Sequence, residues 1–514
     1  LDGLADGAAL VEELREITAR VAQAYDQLLD SGNAGEPLGP VPAPLALRLE
    51  QLGFAEPIEL SERIAGWRDG RYQALRSNAA IDAFDAMLPA LLEALAHADD
   101  PERALLSWES VLANASSAIN LFRLLEARPG MLDQLIAVLT LAPTLAEELG
   151  RRPGLLDTLI DASALDLPGD VAAIASRMEA GDAARDYERL LDRIRIVTGE
   201  LRFALGLQLI QAVHDPLDIA AALSRTAEAA LLVAHRAANA EFARKHGHIA
   251  GSELVVLGLG RLGGGALTHA SDLDIIYLFT GDSGAESDGE RPLGGTHYFN
   301  RLAQRLSAAL SVPTAQGALY EVDTRLRPQG AQGPLSVTFD AFARYQREDA
   351  WTWEHMALTR ARVLVASDGA RSQLEAIIAG VLEQDRDPAK LREDVLAMRG
   401  EMARHKAPAG PLDAKLLRGG LVDLEFLVHF LQLRDLAGFT PDLGRAIDAL
   451  VAAGLLPQEL CKAHDLMTRI LVSARLLAPD LSDPPPAAAR ALARACCCET
   501  YDGLLRSLGE TRQM

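Results

Sequence analysis

No run of eighteen apolar residues occurs in this chain, so the sequence offers no transmembrane helix. It does not open with a basic, apolar, small-residue signal peptide either, and the expectation is a cytoplasmic protein. Cysteine is scarce: Cys461 stands apart and Cys496, Cys497 and Cys498 are consecutive. That spacing is not the C-x-x-C of a zinc site, and reduced thiols on a helix are expected. Aromatic residues make up only 5% of the 514 residues, while Ala and Leu supply much of the 49% hydrophobic content, which favours helices over sheets. Positive charge is also in deficit. A net charge of −22 and a pI near 5.0 argue against sequence-independent binding to nucleic acid, which needs a broad basic surface. A nucleotide pocket with local arginines stays compatible with that balance.

What is present is length enough for about three domains and a long succession of helical patterns. Apolar residues recur at helical spacing over 9–17, 43–52, 79–97, 103–126, 183–212, 219–246 and 296–310. Arg128-Pro-Gly-Met-Leu-Asp133 is echoed by Arg152-Pro-Gly-Leu-Leu-Asp157, which reads as a pair of similar helical hairpins and not as a solenoid. The acidic, Gly-rich stretch 281–290 reads as a mobile loop with no means of burying itself. Helical patterns resume after 371, broken at Pro408–Pro411 and at Asp483-Pro-Pro-Pro486. The chain starts at Leu1, which suggests a piece of something longer.

Chemistry concentrates at 255–279. An apolar strand enters Gly258-Leu-Gly-Arg-Leu-Gly-Gly264, and a second strand opens with Ser271-Asp-Leu-Asp-Ile-Ile276. Asp272 and Asp274 are two apart in a strand, so both carboxylates point to one side. Two acids so placed are tolerable with a divalent cation between them, and Mg²⁺ is the hard cation usually shared by carboxylates and substrate phosphates. The G-x-G-x-x-G spelling admits a dinucleotide fold, but about eight residues between Gly263 and Asp272 leave no room for a crossover helix. No Gly-Lys-Ser/Thr follows, so a P-loop is excluded too.

A further strand pattern covers 318–327, with Tyr320, Val322, Thr324 and Leu326 on one side and Glu321, Asp323, Arg325 and Arg327 on the other. A solvated face would show the same alternation. Following a strand with two acids, it offers a third carboxylate and guanidinium groups for a charged leaving group, the parts used in metal-assisted nucleotidyl transfer. Arg360 and Arg362 are candidates for phosphate contacts or plain surface arginines. Asp423 and Glu425 diverge on a helix and are not expected to form a second metal pair.

These segments, with Tyr320-Glu-Val-Asp-Thr-Arg-Leu-Arg-Pro328, Trp351-Thr-Trp-Glu-His355 and Gly419-Gly-Leu-Val-Asp-Leu-Glu-Phe426, resemble glutamine synthetase adenylyltransferase, whose core is similar to the DNA polymerase β nucleotidyltransferases. The resemblance is clear over about 220–430. It implies a mostly α fold with an α+β nucleotidyltransferase core, a mixed sheet of the polymerase β type flanked by helical domains: a helical region over 1–218, the catalytic domain over 219–370 and a C-terminal helical bundle over 371–514. Members of that family carry two such cores, one removing AMP from glutamine synthetase and one adding it. The single core, the helices before it and its motif versions imply the C-terminal, adenylylating half. The resemblance further implies Mg²⁺ on Asp272, Asp274 and Asp323, and ATP held by Gly258, Gly260, Arg261, Gly263, Gly264 and Ser271. Arg261, Arg325 and Arg327 would face the departing pyrophosphate, and a tyrosine hydroxyl of glutamine synthetase would be the acceptor. Glu321, on the face of Asp323, is a possible supporting acid. His269-Ala270 departs from the family, which often has an aromatic residue and a second Ser there. PII signalling protein and glutamine enter as regulators, with no residues assigned. The competing readings are the deadenylylating half and a catalytically inert binding module.

Overall fold

The computed structural model describes residues 42–98, 100–115, 118–160, 165–181 and 186–513. The expected helix at 9–17 lies outside them. The chain forms two compact units, Leu1–Pro101 with Leu112–Asp133, and Glu102–Val111 with Gln134–Met514.

The first unit is helical. Its core gathers Leu45, Leu49, Ile64, Trp67, Phe84, Met87, Leu91 and Phe122. Phe84 receives the edges of both Trp67 and Phe122 at centroid distances of 5.9 and 5.4 Å. The helix Asn78–Ala96 is started by Ser77, whose hydroxyl accepts the Ala80 N–H at 3.2 Å. The single helix expected over 103–126 is two, Pro101–Asn114 and Ile119–Ala127. The two Arg-Pro-Gly echoes also differ: one opens the helix Pro129–Leu141, the other a short 3₁₀ turn, Pro153–Leu156. In both copies proline stands where a helix can start without its N–H.

The second unit is built round one small mixed sheet. β1 (Leu254–Gly258) lies between β2 (Leu273–Phe279) and β5 (Arg362–Val365) and is antiparallel to both. The outer edge of β2 takes two short parallel partners, β3 (Val322–Asp323) at its start and β4 (Ser336–Thr338) at its end. The antiparallel β1–β2 pair rules out a dinucleotide-type crossover, as the residue count required. Both faces are covered. Val255, Leu257, Ile276 and Leu278 pack with Phe339, Phe342, Met356 and Leu374, while Phe279 stacks on Phe299 at 4.6 Å and Tyr277 bonds the Ser307 hydroxyl at 3.0 Å. Burial on both sides accounts for the nearly unbroken apolar spelling of β1 and β2.

Two long helices, Tyr187–Gln211 and Pro216–His246, support the sheet; each is capped by an aspartate, Asp186 and Asp215. Arg195, 1% exposed, donates to the carbonyls of Ala309, Val312 and Gly317 at 2.7–3.0 Å and so ties the first of them to the end of the helix Gly295–Ser311.

Two expectations need correction. The strand pattern over 318–327 yields only Val322–Asp323, because Arg325 folds back on Asp323 and Arg327 N–H closes a turn on the Thr324 carbonyl at 3.2 Å. The 281–290 stretch is not a free loop. Ser287 is buried, Gly289 N–H donates to the His246 carbonyl and Asp288 N–H to the His248 carbonyl, both at 3.1 Å, and the Asp288 carboxylate accepts the His248 N–H at 2.6 Å. Backbone pairing with the end of the 216–246 helix holds a segment whose composition has nothing apolar to bury. Among the described residues, no helix is long and apolar enough to cross a membrane.

Candidate active site

β2 and β3 bring three acids together. Their parallel register sets Asp274 beside Asp323, and Asp272 lies just ahead of β2 on the same side as Asp274. Carboxylate oxygens of Asp272, Asp274 and Asp323 all fall within 4.8 Å of one another. Burial, with the charges of Asp272 and Asp323, pushes the Asp274 carboxyl up to about 6. Asp323 moves the other way: the Arg325 guanidinium, at 2.8 and 3.0 Å from its two oxygens through Nε, holds it below the usual carboxylate range. Three converging carboxylates, one of them resisting ionisation, form an all-oxygen donor set suited to a hard divalent cation. Glu321 is exposed and outside the cluster; its backbone carbonyl accepts the Leu273 N–H at 2.9 Å.

The glycine turn runs alongside. Gly260 has φ +54°, and a Cβ there would stand 2.3 Å from Asp274 Oδ2, so the turn reaches the acids only because it lacks a side chain. A single helical turn, Gly260–Gly263, follows; Gly263 and Gly264 bond back to Leu259 and Gly260, leaving the N–H groups of Gly260, Arg261 and Leu262 without intrahelical partners. The turn is clamped from beneath. Arg362 donates to the carbonyls of Leu262 and Gly263 at 3.0 Å and pairs with Glu228, while Ser224 Oγ accepts the Leu267 N–H at 2.9 Å. Arg362 is therefore a support of the turn, not a surface arginine. Gly258 packs under Leu364, and a Cβ on Gly263 would meet the Arg360 carbonyl at 2.0 Å.

The remaining expected residues are distributed unevenly. The Ser271 hydroxyl faces its own turn, accepting the Thr268 N–H at 2.9 Å with the Thr268 hydroxyl at 3.0 Å. His269, the departure from the family spelling, is a support: its Nε2 lies 3.0 Å from the Arg202 carbonyl, and Arg202 donates to the His269 carbonyl at 2.6 Å. Burial lowers its pKa to about 4, which keeps the ring neutral. Arg327 braces the 324–333 loop through the Thr324 carbonyl and hydroxyl, at 2.9 and 3.1 Å. Arg325 is largely exposed beside Asp323. Arg261 lines a cavity beside the turn with Arg360, Glu425, Asp442, Asp448 and Asp465.

That rear cluster was not anticipated. Arg360, expected as a phosphate contact or a surface residue, is buried and pairs with Glu425 at 2.9 Å. Lys415 reaches into the same region, close enough to Asp274 and Glu425 to act on both electrostatically. Asp423, by contrast, binds Arg399 and the Gly419 N–H, which leaves Glu425 alone facing the turn. The Trp351-Thr-Trp-Glu-His355 segment is a brace: Glu354 accepts the Trp351 N–H at 2.9 Å and the Tyr345 hydroxyl at 3.0 Å, and His355 lies 2.8 Å from the Gln346 carbonyl.

A small mixed sheet carrying three acids on adjacent strands, next to a glycine turn and within a mostly helical chain, defines a nucleotidyltransferase-type core. Residues 132–377 match the model of the glutamate–ammonia ligase adenylyltransferase family. It is similar to the bifunctional glutamine synthetase adenylyltransferase/adenylyl-removing enzyme of Mesorhizobium japonicum, 36% identical over 99% of this chain and 54% of that protein. The protein of the same name from Agrobacterium fabrum is 37% identical over 96% of this chain and 52% of that protein, and the one from Brucella suis 37% over 95% and 51%. The chain spans about half the length of the curated relatives it matches.

Proposed function

We propose that this chain transfers AMP from ATP to a tyrosine hydroxyl of glutamine synthetase, releasing pyrophosphate. The observation that carries the reading is the meeting of Asp272, Asp274 and Asp323 beside the Gly258–Gly264 turn. The three acids would hold Mg²⁺, which when bound neutralises the phosphates and polarises the phosphorus under attack. The N–H groups of Gly260, Arg261 and Leu262 would face the triphosphate. Arg325 keeps Asp323 ionised, which suits an anionic ligand better than a proton acceptor. Arg325 also stands where it can follow the pyrophosphate as charge builds on it. The names of the relatives carry both an adding and a removing activity, and their length is about twice this chain's, so the direction rests on the motif versions that resemble the adding core. Control by PII and glutamine belongs to the same proposal.

The test is incubation of the purified chain with Mg²⁺, ATP labelled at the α-phosphate and unmodified bacterial glutamine synthetase. Label is expected to enter the synthetase and to be lost with Asp272→Ala. Release of ADP from pre-modified synthetase supplied with inorganic phosphate, without incorporation, would assign the removing activity instead. Absence of both reactions would leave a binding module.

A further inference from the structure

β3 is a weak anchor for an acid that must meet two others. It is two residues long and lies at the edge of the sheet, where its register with β2 covers the pairs Leu273–Val322 and Asp274–Asp323. A strand that short adds little pairing of its own. The chain turns away directly after it, with Arg325 folded onto Asp323. Much of what holds Asp323 against β2 therefore has to come from the chain leading into β3. That chain is strapped to one face of the helix Tyr187–Gln211, where Asp192, Arg195 and Arg202 follow one another at i, i+3 and i+10. Asp192 accepts the Thr314 hydroxyl at 2.6 Å, and Arg195 donates to the carbonyls of Ala309, Val312 and Gly317 at 2.7–3.0 Å. At the end of the row the Arg202 guanidinium lies over the buried Tyr320 ring, 5.4 Å from its centroid, with Nη1 3.5 Å from the Leu319 carbonyl.

The same side chain reaches the other strand. Arg202 Nη2 donates to the His269 carbonyl at 2.6 Å, and His269 Nε2 returns a hydrogen bond to the Arg202 carbonyl at 3.0 Å. Gly206, one turn further along the helix, leaves room for that ring: a Cβ there would stand 3.3 Å from Nε2. His269 precedes Asp272 by three residues, and Tyr320 precedes Asp323 by three. Arg202 thus grips the two approaches to the acid cluster at matching points and acts on the acids through them.

We propose that Arg202 is a positioning residue for the three-acid cluster: it fixes the spacing between the Asp272–Asp274 pair and Asp323, and with it the fit of the cluster to a small octahedral cation. The inference rests on the reading of the acids as a Mg²⁺ site. Mg²⁺ demands near-ideal octahedral geometry at about 2.0–2.1 Å, whereas Ca²⁺ accepts about six to eight oxygens at about 2.3–2.6 Å in flexible arrangements. A displaced Asp323 is therefore felt by Mg²⁺ more than by Ca²⁺. Loss of the guanidinium charge, in contrast, acts on the two divalent cations alike. The helix 187–211, which precedes the sheet in the chain, is on this account part of the frame of the metal site.

The experiment uses the full chain with Arg202→Met and Arg202→Lys, and measures binding of Mg²⁺ and of Ca²⁺ by calorimetry without nucleotide. Arg202→Met is expected to weaken Mg²⁺ by about tenfold and Ca²⁺ by no more than about threefold. Arg202→Lys is expected to fall between wild type and Arg202→Met, since an ammonium can reach the His269 carbonyl or the Tyr320 ring but cannot span both as a planar fork does. Should the Met variant fail to fold, the Lys variant decides by the same ratio of the two affinities. A ratio unchanged from wild type would overturn the proposal; with a lowered melting temperature in EDTA beside it, Arg202 would be a structural residue and nothing more. Failure of the parent reading shows separately in Asp274→Asn: Mg²⁺ binding left unchanged by that substitution would mean that the cation does not sit on the acids.

Discussion

On one side of the Gly258–Gly264 turn stand Asp272, Asp274 and Asp323, partly open to solvent; on the other, Arg261, Arg360 and Glu425 line a cavity under the C-terminal helices together with Asp442, Asp448 and Asp465. The turn itself separates them: Gly260 faces the Asp274 carboxylate and Gly264 the Arg360 guanidinium, each at a distance no side chain would allow. In the front cluster burial and the charges of Asp272 and Asp323 resist ionisation of Asp274, whereas the rear pairs opposite charges, Arg360 with Glu425 at 2.9 Å.

The strongest way to separate the clusters is to remove charge from the front. Asp274→Asn is expected to reduce AMP transfer by about 10⁴-fold or more, a loss of roughly 5 kcal/mol of transition-state stabilisation. Its stability effect should have the opposite sign. Folding raises the Asp274 carboxyl from its ordinary 3.8 to about 6, so the folded chain binds that proton more tightly than the unfolded one. Stability in metal-free buffer therefore falls as pH rises through the window from about 4 to about 6, and stays lower above it. At pH 8 in EDTA the Asn variant should be more stable than wild type by about 2 kcal/mol, after allowance for partial exposure. The gap should close below pH 4. Equal denaturation midpoints at pH 8 would show that the acids do not strain one another.

The rear cluster should answer in the reverse way. Glu425→Gln leaves the buried Arg360 guanidinium beside a neutral amide and is expected to destabilise by about 3–5 kcal/mol, read from urea denaturation. Lost transfer would follow from lost structure, so Arg360→Met combined with Glu425→Leu should recover much of the stability and little of the activity. If Glu425→Gln unfolds no more readily than wild type, the rear is solvated and the contrast between the two clusters collapses.

How much of this was legible in the sequence depends on how local the geometry is. Asp272 and Asp274 share a side because two residues of strand decide it, and Asp323 joined them through its own alternation, even though only two residues of the expected ten form a strand. The glycine spacing by itself excludes a crossover, and β1 and β2 pair antiparallel. The rear cluster was illegible because Arg261, Arg360, Lys415 and Glu425 come from four separate segments, and nothing in the spelling of any one of them records the others. Arg362 likewise reads as a surface residue until Glu228 and the carbonyls of Leu262 and Gly263 are set beside it. The 281–290 loop misled for another reason: composition reports side chains, whereas that loop is held by backbone groups.

The turn between the clusters offers a finer test. A methyl group on Gly263 would lie 2.0 Å from the Arg360 carbonyl and 2.7 Å from the Gly258 carbonyl, backbone on both sides. Gly263→Ala is expected to cost about 1–3 kcal/mol and to weaken transfer as the turn is forced away from Asp274. Gly265 has φ +70° but open space around it, so Gly265→Ala should cost only about 1 kcal/mol, through backbone strain alone. Equal effects would mean that the turn is not wedged between β1 and Arg360.

The smallest expected effect tests whether the front cluster is as open as the rear is closed. Arg325 is mostly exposed and pairs with Asp323 on the solvent side, so Arg325→Ala should change stability by no more than about 0.5 kcal/mol. Its consequences for binding should divide by ligand. With the guanidinium gone, Asp323 loses the partner that competes with a metal for its oxygens, and Mg²⁺ alone is expected to bind a few-fold tighter in calorimetry. Mg·ATP should bind a few-fold weaker, because a positive group beside the departing phosphates is lost. A variant that weakens Mg²⁺ and Mg·ATP alike would place Arg325 as a support for the position of Asp323, and the front of the site would then be as firmly braced as the rear.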